Sequence, residues 1–314
     1  MRVIVTGAGG FLGWFVVDAL VKRGDEIQAW IHQSRANEWG GGVRIVAADI
    51  TDGQVTSCLV TSFAPDLIIH LAAQSFPGRS WENPALTYHV NVVGAVHLLE
   101  AVRRLKKSAR VLVTGSSAEY VEPLDGRPIV ESAPTEANSP YGASKLAVDH
   151  LVELYLRRYD LDLIRVRPFF LVGPRKTGDV CSDYARRIVA IERGEEHFMR
   201  VGALDVVRDI IDVRDGVAGM LRIAEAGGRG ELYNVSGGKG VSVGEILNAY
   251  RRLAHAPFTV VDDPMLLRPL EQKVKIGDSR KLRALGWQPQ YSLEETLGSI
   301  LDYWRSLRGA PTPG

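Results

Sequence analysis

Short apolar runs alternate with longer amphipathic segments through the first half of the chain. The runs are rich in Val, Ile and Leu without polar alternation, which is typical of strands buried on both faces of a parallel sheet. They predict strands at residues 3–6, 26–31, 43–47, 66–72, 110–114 and 161–167. Helical patterns lie between them, notably at residues 83–105 and 140–159. This alternation predicts an α/β protein with a doubly wound parallel sheet.

The rhythm changes after Pro168, where the segments become shorter and more varied. Residues 213–225 and 231–235 again read as a helix and a strand that return to the first domain. We therefore predict a first domain of residues 1–168 plus about 204–235, and a smaller C-terminal lobe of 169–203 and 236–314 for substrate binding. Ser242 and Glu245 form a capping box that opens one helix of this lobe.

The first strand runs directly into a glycine-rich turn followed by a helix. Gly7, Gly10 and Gly13 suit a tight turn that lets a pyrophosphate approach the backbone and the helix N-terminus. The strand before it and the helix after it favour a dinucleotide site of the Rossmann type over a turn with no ligand. Phe11 and Leu12 belong to the same predicted cofactor site.

A tyrosine and a lysine stand one helical turn apart at the start of a second helix. Ser139 is a good N-cap and Pro140 suits the first helical position, so Tyr141 and Lys145 share a face. A cation beside a phenol lowers its pKa, which would make Tyr141 an acid that works near neutral pH. Taken alone, the pair would also fit an ordinary helix.

Charge and composition narrow the classes of partner. The 314 residues include 38 basic and 37 acidic side chains, so no net field favours nucleic acid or an anionic membrane. We expect no signal peptide, no membrane span and a cytoplasmic protein. Cys58 and Cys181 lack metal or redox spacing and are expected to be buried thiols, and the histidines form no ligand cluster, so no metal is predicted.

Together these motifs resemble the extended short-chain dehydrogenases/reductases that act on nucleotide sugars. The resemblance covers nearly the whole chain, and in detail it is most similar to the GDP-4-keto-6-deoxy-D-mannose reductases. It rests on the two motifs above and on the following segments: Asp49-Ile50, His70-Leu71-Ala72-Ala73, Asn91-Val92-Val93-Gly94, Gly115-Ser116-Ser117-Ala118-Glu119-Tyr120, Arg208-Asp209-Ile210-Ile211-Asp212-Val213-Arg214-Asp215 and Leu267-Arg268-Pro269-Leu270-Glu271.

The resemblance implies further cofactor contacts. Asp49 and Ile50 match the pair that touches adenine, and Leu71, Ala72 and Ala73, at the end of the predicted fourth strand, belong to the same cofactor site. At the tip of the second strand an acidic residue selects NAD and a basic one accommodates the phosphate of NADP. His32 and Arg35 stand there without a carboxylate, which favours NADP(H), with NAD(H) as the alternative. Arg35 could equally be a solvated loop residue.

The resemblance also assigns catalytic and substrate residues. Ser116 matches the hydroxyl that bonds the reacting oxygen of the substrate, beside Tyr141 and Lys145. Sugar 4,6-dehydratases carry an acidic base two residues later, where this chain has Ala118. Glu119 follows, but on an extended backbone its side chain should face the other way. The predicted substrate contacts are Ser75, Ser116, Ser117, Phe170, Arg208, Arg268 and Glu271, and Phe170 replaces an asparagine that is usual in relatives.

These observations predict an enzyme that reduces a nucleotide-linked 4-keto-6-deoxy sugar with NADPH. GDP-4-keto-6-deoxy-D-mannose is the leading substrate and GDP-D-rhamnose the product. The alternatives are an NAD-dependent nucleotide-sugar 4-epimerase and a non-catalytic dinucleotide-sensing protein. Apolar positions in excess of one sheet face on the helices at 83–105 and 140–159 predict a homodimer, in line with the relatives; they are Val96, Leu99, Val148, Leu151, Val152 and Leu156.

Overall fold

The structure is a computed structural model that describes residues 1–32, 39, 42–121, 126–266 and 273–307. Its strands are β1 (Arg2–Thr6), β2 (Glu26–Ile31), β3 (Val43–Ala47), β4 (Leu67–His70), β5 (Arg110–Thr114), β6 (Asp162–Pro168), β7 (Phe170–Val172), β8 (Phe198–Val201), β9 (Val207–Asp212), β10 (Leu232–Val235), β11 (Gly240–Ser242), β12 (Thr259–Asp262) and β13 (Val274–Lys275).

The α-helices of the described residues are α1 (Phe11–Arg23), α2 (Gly53–Phe63), α3 (Pro77–Glu82), α4 (Pro84–Tyr88), α5 (Gly94–Arg103), α6 (Pro140–Arg158), α7 (Val180–Glu192), α8 (Val213–Ala226), α9 (Val243–Leu253), α10 (Arg280–Arg283) and α11 (Leu293–Ser306). A π-helical turn at His89–Val93 joins α4 to α5. Short 3-10 turns occur at Ser117–Glu119 and Pro264–Leu266.

Seven strands of the described chain form one parallel sheet in the order β10-β6-β5-β4-β1-β2-β3. The order reverses between β1 and β4, and in open α/β sheets ligands bind at the carboxyl ends of the strands at such a point. Apolar residues of α1 and α8 cover one face of the sheet, and those of α2, α5 and α6 cover the other. The predicted doubly wound Rossmann-type sheet is therefore confirmed.

The C-terminal part of the chain builds a second core beside this sheet. Helices α7, α9 and α11 pack with β8 around Ile188, Met199, Leu247, Tyr250 and Leu301. Strand β9 pairs with β7, β11 and β13 in a smaller sheet. Because β6 and β10 belong to the large sheet, the chain passes back and forth between the two sheets. Helix α8 packs on the large sheet and β10 pairs with β6, whereas β9, which falls inside the range predicted to return to the first domain, belongs to the smaller sheet. The Ser242–Glu245 capping box is also present at the start of α9.

The strands predicted at 26–31, 43–47 and 110–114 have the expected bounds, whereas β4 is shorter than predicted. The helix predicted at 83–105 is divided into α4, the π-helical turn and α5. Among the described residues, the stretch Pro84–Arg103 is long and apolar enough to cross a membrane by composition alone. In the fold, Leu98, Leu99 and Val102 of this stretch lie in the core against the sheet.

Candidate active site

The glycine turn after β1 has the close backbone packing that the sequence predicts. Gly7 has φ +68°, and a Cβ there would lie 2.7 Å from the amide nitrogen of Ala72. A Cβ on Gly13 would lie 2.3 Å from the carbonyl oxygen of Gly7. Gly10 is the N-cap of α1 and has no side chain that could cap the helix. The backbone N–H groups of the first turn, which begins with Phe11 and Leu12, can therefore bind an anion. The turn fits a dinucleotide pyrophosphate.

Thr6 ties the end of β1 to the end of β4. Its hydroxyl oxygen accepts the N–H groups of Leu71 and Ala72, both at 3.1 Å, and lies 2.8 Å from Nδ1 of His70. Burial lowers the pKa of His70 to about 3, so the ring is neutral. Because the Thr6 hydroxyl oxygen already accepts two N–H groups, its own O–H is the group left to donate to Nδ1. This network fixes the segment of Leu71, Ala72 and Ala73 next to the glycine turn.

The predicted adenine and ribose contacts lie at the ends of β2 and β3. Asp49 accepts bonds from the backbone N–H and the hydroxyl of Thr51, which lower its pKa. Ile50 is buried, and a Cβ on Gly94 would lie 2.7 Å from its Cγ2, which explains the glycine in α5. His32 is exposed directly after β2. Arg35, the other predicted phosphate contact, lies outside the described residues.

Ser116, Tyr141 and Lys145 meet at the carboxyl end of β5. The Ser139 hydroxyl accepts the Gly142 N–H as the N-cap of α6, which places Tyr141 in the first helical turn. The Ser116 hydroxyl is near enough to the Tyr141 phenol to act on its pKa, in the lowering direction. One turn further, the Lys145 ammonium donates to the carbonyl oxygen of Thr114 at 2.8 Å. The three predicted catalytic side chains are thus brought together around one small volume.

The electrostatics of this cluster differ from the sequence-based expectation. Burial raises the pKa of Tyr141 to about 12, although the nearby Ser116 hydroxyl acts in the opposite direction. Burial also lowers the pKa of Lys145 to about 8. The prediction that Lys145 brings the Tyr141 pKa toward neutrality is therefore wrong for this structure, because desolvation disfavours both charged forms. Tyr141 is a protonated phenol at neutral pH.

The turn after β5 holds Ala118 where dehydratases carry an acidic base. Glu119, the neighbouring acid, is fully buried and points away, with its carboxylate bonded to the Ser116 N–H and to Arg167. Burial raises the pKa of Glu119 to about 7 despite that arginine. The expectation for Glu119 assumed an extended backbone, but Ser117–Glu119 form a 3-10 turn, and the carboxylate direction is set by its bonds to Ser116 and Arg167. Ser117 is buried at the start of the same turn.

Phe170 and Arg208 of the predicted substrate set lie together at β7 and β9. The Arg208 guanidinium is 5.9 Å from the Phe170 ring centroid, and the Lys176 ammonium is 5.5 Å from it. Such distances are typical of cation–π contacts. Ser75 lies in an exposed segment after β4. Arg268 and Glu271 fall outside the described residues, so the structure does not describe their place.

Two buried polar residues that position the site, Asn91 and Asp209, stand in motifs noted in the sequence but were given no role there. The Asn91 side chain bonds both backbone groups of Gln74 and donates to the Ser144 hydroxyl at 2.8 Å, which ties the segment before Ser75 to α6. Asn91 lies in the π-helical turn, a feature frequent at functional sites. A polar residue in an apolar helical run was the available signal. Asp209 accepts three backbone N–H groups and so holds Arg208 in register.

The thiols and the paired helix faces also need correction. Cys181 is buried as expected, but Cys58 is exposed on α2.

Leu99, Val148 and Val152 are buried within the protomer against the sheet, so they do not belong to an outward apolar face. The sequence-based prediction treated these residues as more than one sheet face could cover, because helical periodicity does not show how much of each helix surface packs against the sheet.

The sequence matches the GDP-mannose 4,6 dehydratase family over residues 4–300, and the chain belongs to that family. It is an extended short-chain dehydrogenase/reductase, and therefore an enzyme that modifies a nucleotide sugar with a nicotinamide dinucleotide.

Relatives with different reactions resemble the chain to a similar extent. The GDP-6-deoxy-D-mannose reductase of Pseudomonas aeruginosa is 30% identical over 246 residues, which are 77% of this chain and 81% of the relative. The UDP-glucose 4-epimerase of Mycolicibacterium smegmatis is 32% identical over 98% of this chain and 99% of its own length. The solved structure of RMD from Pseudomonas aeruginosa, complexed with NADPH, aligns with a TM-score of 0.86 at 28% identity, covering 97% of this chain and 99% of that one.

Proposed function

We propose that this enzyme reduces a nucleotide-linked 4-keto-6-deoxy sugar with NADPH, and that GDP-4-keto-6-deoxy-D-mannose is its substrate and GDP-D-rhamnose its product. One observation carries the proposal. The Ser116 hydroxyl and a protonated Tyr141 phenol form a donor pair beside Lys145, while Ala118 supplies no base for dehydration. The likeness to a GDP-6-deoxy-D-mannose reductase supports the choice of substrate.

The residues of this chain supply binding and proton transfer, and the bound nicotinamide would supply the hydride for C4 of the sugar. Ser116 and Tyr141 donate hydrogen bonds to the C4 oxygen, which gains negative charge as the carbonyl is reduced. Tyr141 then gives that oxygen its proton. Its raised pKa keeps the proton on the phenol until the more basic alkoxide forms. Lys145, buried beside the strand end, holds the nicotinamide ribose and balances the charge left on Tyr141.

Dehydration is disfavoured although the family carries a dehydratase name. Eliminating water from a sugar needs a base that removes a proton from carbon, and a methyl group cannot serve. Glu119 cannot replace it, because its carboxylate is buried and accepts bonds from Ser116 and Arg167. The substrate should therefore arrive as a 4-ketone made by another enzyme.

Among the residues that the structure describes, Arg208 is the candidate for binding the substrate diphosphate. A guanidinium fork suits phosphate oxygens, and Asp209 fixes its strand through three backbone amides. Arg268 and Glu271 are proposed to complete the nucleotide site. The Phe170 ring lies near the cations of Lys176 and Arg208, at a position where relatives have an asparagine. A phenyl ring offers the sugar no hydrogen bond there.

A 4-epimerase with tightly held NAD is the second candidate. It is favoured by the likeness to a UDP-glucose 4-epimerase over 98% of the chain, against 77% for the reductase relative. An epimerase would use Tyr141 first as a base and then as an acid. Cofactor that stays bound and oxidised through purification, together with interconversion of UDP-glucose and UDP-galactose, would establish that reaction instead.

A coupled assay tests the reductase. GDP-mannose with this enzyme and NADPH or NADP⁺ should give no reaction. Addition of a GDP-mannose 4,6-dehydratase should start NADPH consumption and yield a GDP-6-deoxyhexose, identified by mass and NMR. A silent assay, with reduction of a UDP- or dTDP-linked 4-keto sugar instead, would overturn the GDP assignment and leave the reductase chemistry. Silence with every 4-keto sugar would overturn both.

A further inference from the structure

A chain of buried charges connects the turn that carries Ser116 with the helix that carries Tyr141. The Arg167 Nε donates to Glu119 Oε2 at 2.7 Å, and one of its terminal nitrogens donates to Asp149 Oδ2 at 2.6 Å. The side chains of Glu119, Arg167 and Asp149 are exposed by 0%, 3% and 9%. Removing one member of a buried ion pair is costly, so such a group is held firmly in place.

One end of this chain of charges contacts the catalytic cluster, and the other end lies on the helix that carries Tyr141 and Lys145. At one end, Glu119 Oε1 accepts the backbone N–H of Ser116 at 2.6 Å, a short hydrogen bond. At the other end, Asp149 follows Tyr141 and Lys145 at steps of four residues along α6, so the three share one helix face. The bridge therefore links Ser116 to the same helix face that presents the acid.

The backbone around Glu119 is shaped to admit its carboxylate. A Cβ on Gly115 would lie 2.4 Å from Glu119 Oε1, so a residue larger than glycine before Ser116 would displace the carboxylate from this position. A Cβ on Gly142 would lie 2.7 Å from the carbonyl oxygen of Ala118, which shows how closely α6 approaches this turn. The Arg167 guanidinium is also 4.4 Å from the Tyr120 ring centroid, which limits its freedom on a further side.

We propose that Glu119 is a positioning residue that, held by Arg167 and Asp149, fixes the Ser116 hydroxyl beside Tyr141. Glu119 does not touch the substrate and acts through Ser116. The neighbouring residue, Ala118, carries no acid, and the Glu119 carboxylate lies in the buried bridge. The inference deepens the proposed reductase function, since it assigns a further residue to the same site.

A double-mutant cycle separates this role from a general contribution to folding. Glu119→Gln keeps the side-chain size, but Ser116 and Arg167 donate to different carboxylate oxygens, so one of them would face an NH₂ donor in place of an acceptor. We expect it to lower turnover in the coupled assay by about 10- to 10²-fold, the cost of a misplaced group. In a Ser116→Ala background the same change should cost less than about 3-fold. An equal loss in both backgrounds would overturn the proposal.

Glu153→Gln is the matched control. Glu153 also lies on α6 and pairs with an arginine of β6, Arg165, at 2.8 Å. It touches the bridge only indirectly, through a longer Arg165–Asp149 contact of 3.4 Å, and has no contact with Ser116 or Glu119. It should leave turnover unchanged. Asp149→Asn perturbs the bridge from its far end and keeps Glu119 in place, so it should give an intermediate loss of turnover. If Glu119→Gln does not fold, Asp149→Asn takes its place in the double-mutant cycle with Ser116→Ala. A loss from Glu153→Gln equal to that from Glu119→Gln would overturn the role.

A readout without substrate keeps this test independent of the proposed function. In NMR spectra of the protein with NADPH, the Ser116 amide proton should resonate downfield because it donates to a carboxylate. Glu119→Gln should move it upfield and speed its exchange with solvent, whereas Glu153→Gln should not. A Ser116 amide that is unchanged in Glu119→Gln would overturn the positioning role even if the coupled assay works. A shifted amide with a silent assay would instead count against the substrate assignment.

Discussion

Replacing Tyr141 with phenylalanine removes one hydroxyl from a side chain that is 9% exposed and leaves its ring in place. A positioned acid contributes about 10²–10⁴-fold to rate. At 1.36 kcal/mol for each tenfold, the variant should raise the barrier by about 3–5 kcal/mol. Dinucleotide binding should stay nearly intact, because the phenol is assigned to the sugar oxygen and Lys145 to the ribose.

The pKa values of the cluster add a pH dependence to this prediction. Burial raises the pKa of Tyr141 to about 12, two units above its usual 10, which favours the protonated phenol by about 2.7 kcal/mol. Tyr141 should therefore stay a loaded acid between pH 7 and pH 9. The pKa of Lys145 is lowered to about 8, so this side chain loses its charge as the pH rises above that value. We expect wild-type turnover to fall there through Lys145.

The assay follows NADPH absorbance with a 4-keto nucleotide sugar made in situ, and measures the NADPH dissociation constant separately by fluorescence. Tyr250→Phe is the matched control, since it removes another buried phenol, one that donates to the Cys181 carbonyl oxygen at 2.8 Å in the second core. Near-normal turnover of Tyr141→Phe would remove Tyr141 from the mechanism. An equal loss in Tyr250→Phe would show that the effect comes from packing.

Three further predictions concern the cofactor, the first turn and assembly. His32→Asp should weaken NADPH and improve NADH; a wild-type enzyme that works faster with NADH at equal concentrations would refute the choice of NADP(H). Thr6→Val removes the hydroxyl partner of His70 Nδ1 and of the Ala72 amide, whereas the Leu71 amide keeps the Thr6 carbonyl oxygen at 3.2 Å. Unfolding by urea should show a loss of about 1–3 kcal/mol, and an unchanged midpoint would contradict that network. Light scattering at micromolar concentration should give a dimer mass for pairing through α5 and α6, and a monomer mass would overturn it.

Local signals of the sequence carried much of the fold. Buried parallel strands need uninterrupted apolar runs, so β2, β3 and β5 were predictable with their bounds. Gly7 and Gly13 were recognisable because a turn this tight leaves no space for a Cβ, and Ser139 with Pro140 fixed the start of α6. These features depend on neighbours within a few residues of each other along the chain.

Tertiary structure decided the properties that depend on distant partners and on solvent. The direction of the Tyr141 pKa follows from burial, which a spacing of four residues to Lys145 cannot reveal. The bridge from Glu119 through Arg167 to Asp149 joins a turn, a strand and a helix that are far apart in sequence. The sequence by itself determined which groups could do chemistry, because residue type and local spacing set their reactivity and reach. Their protonation and alignment were set only by the packed fold, because desolvation and long-range hydrogen bonds exist only once the elements have come together.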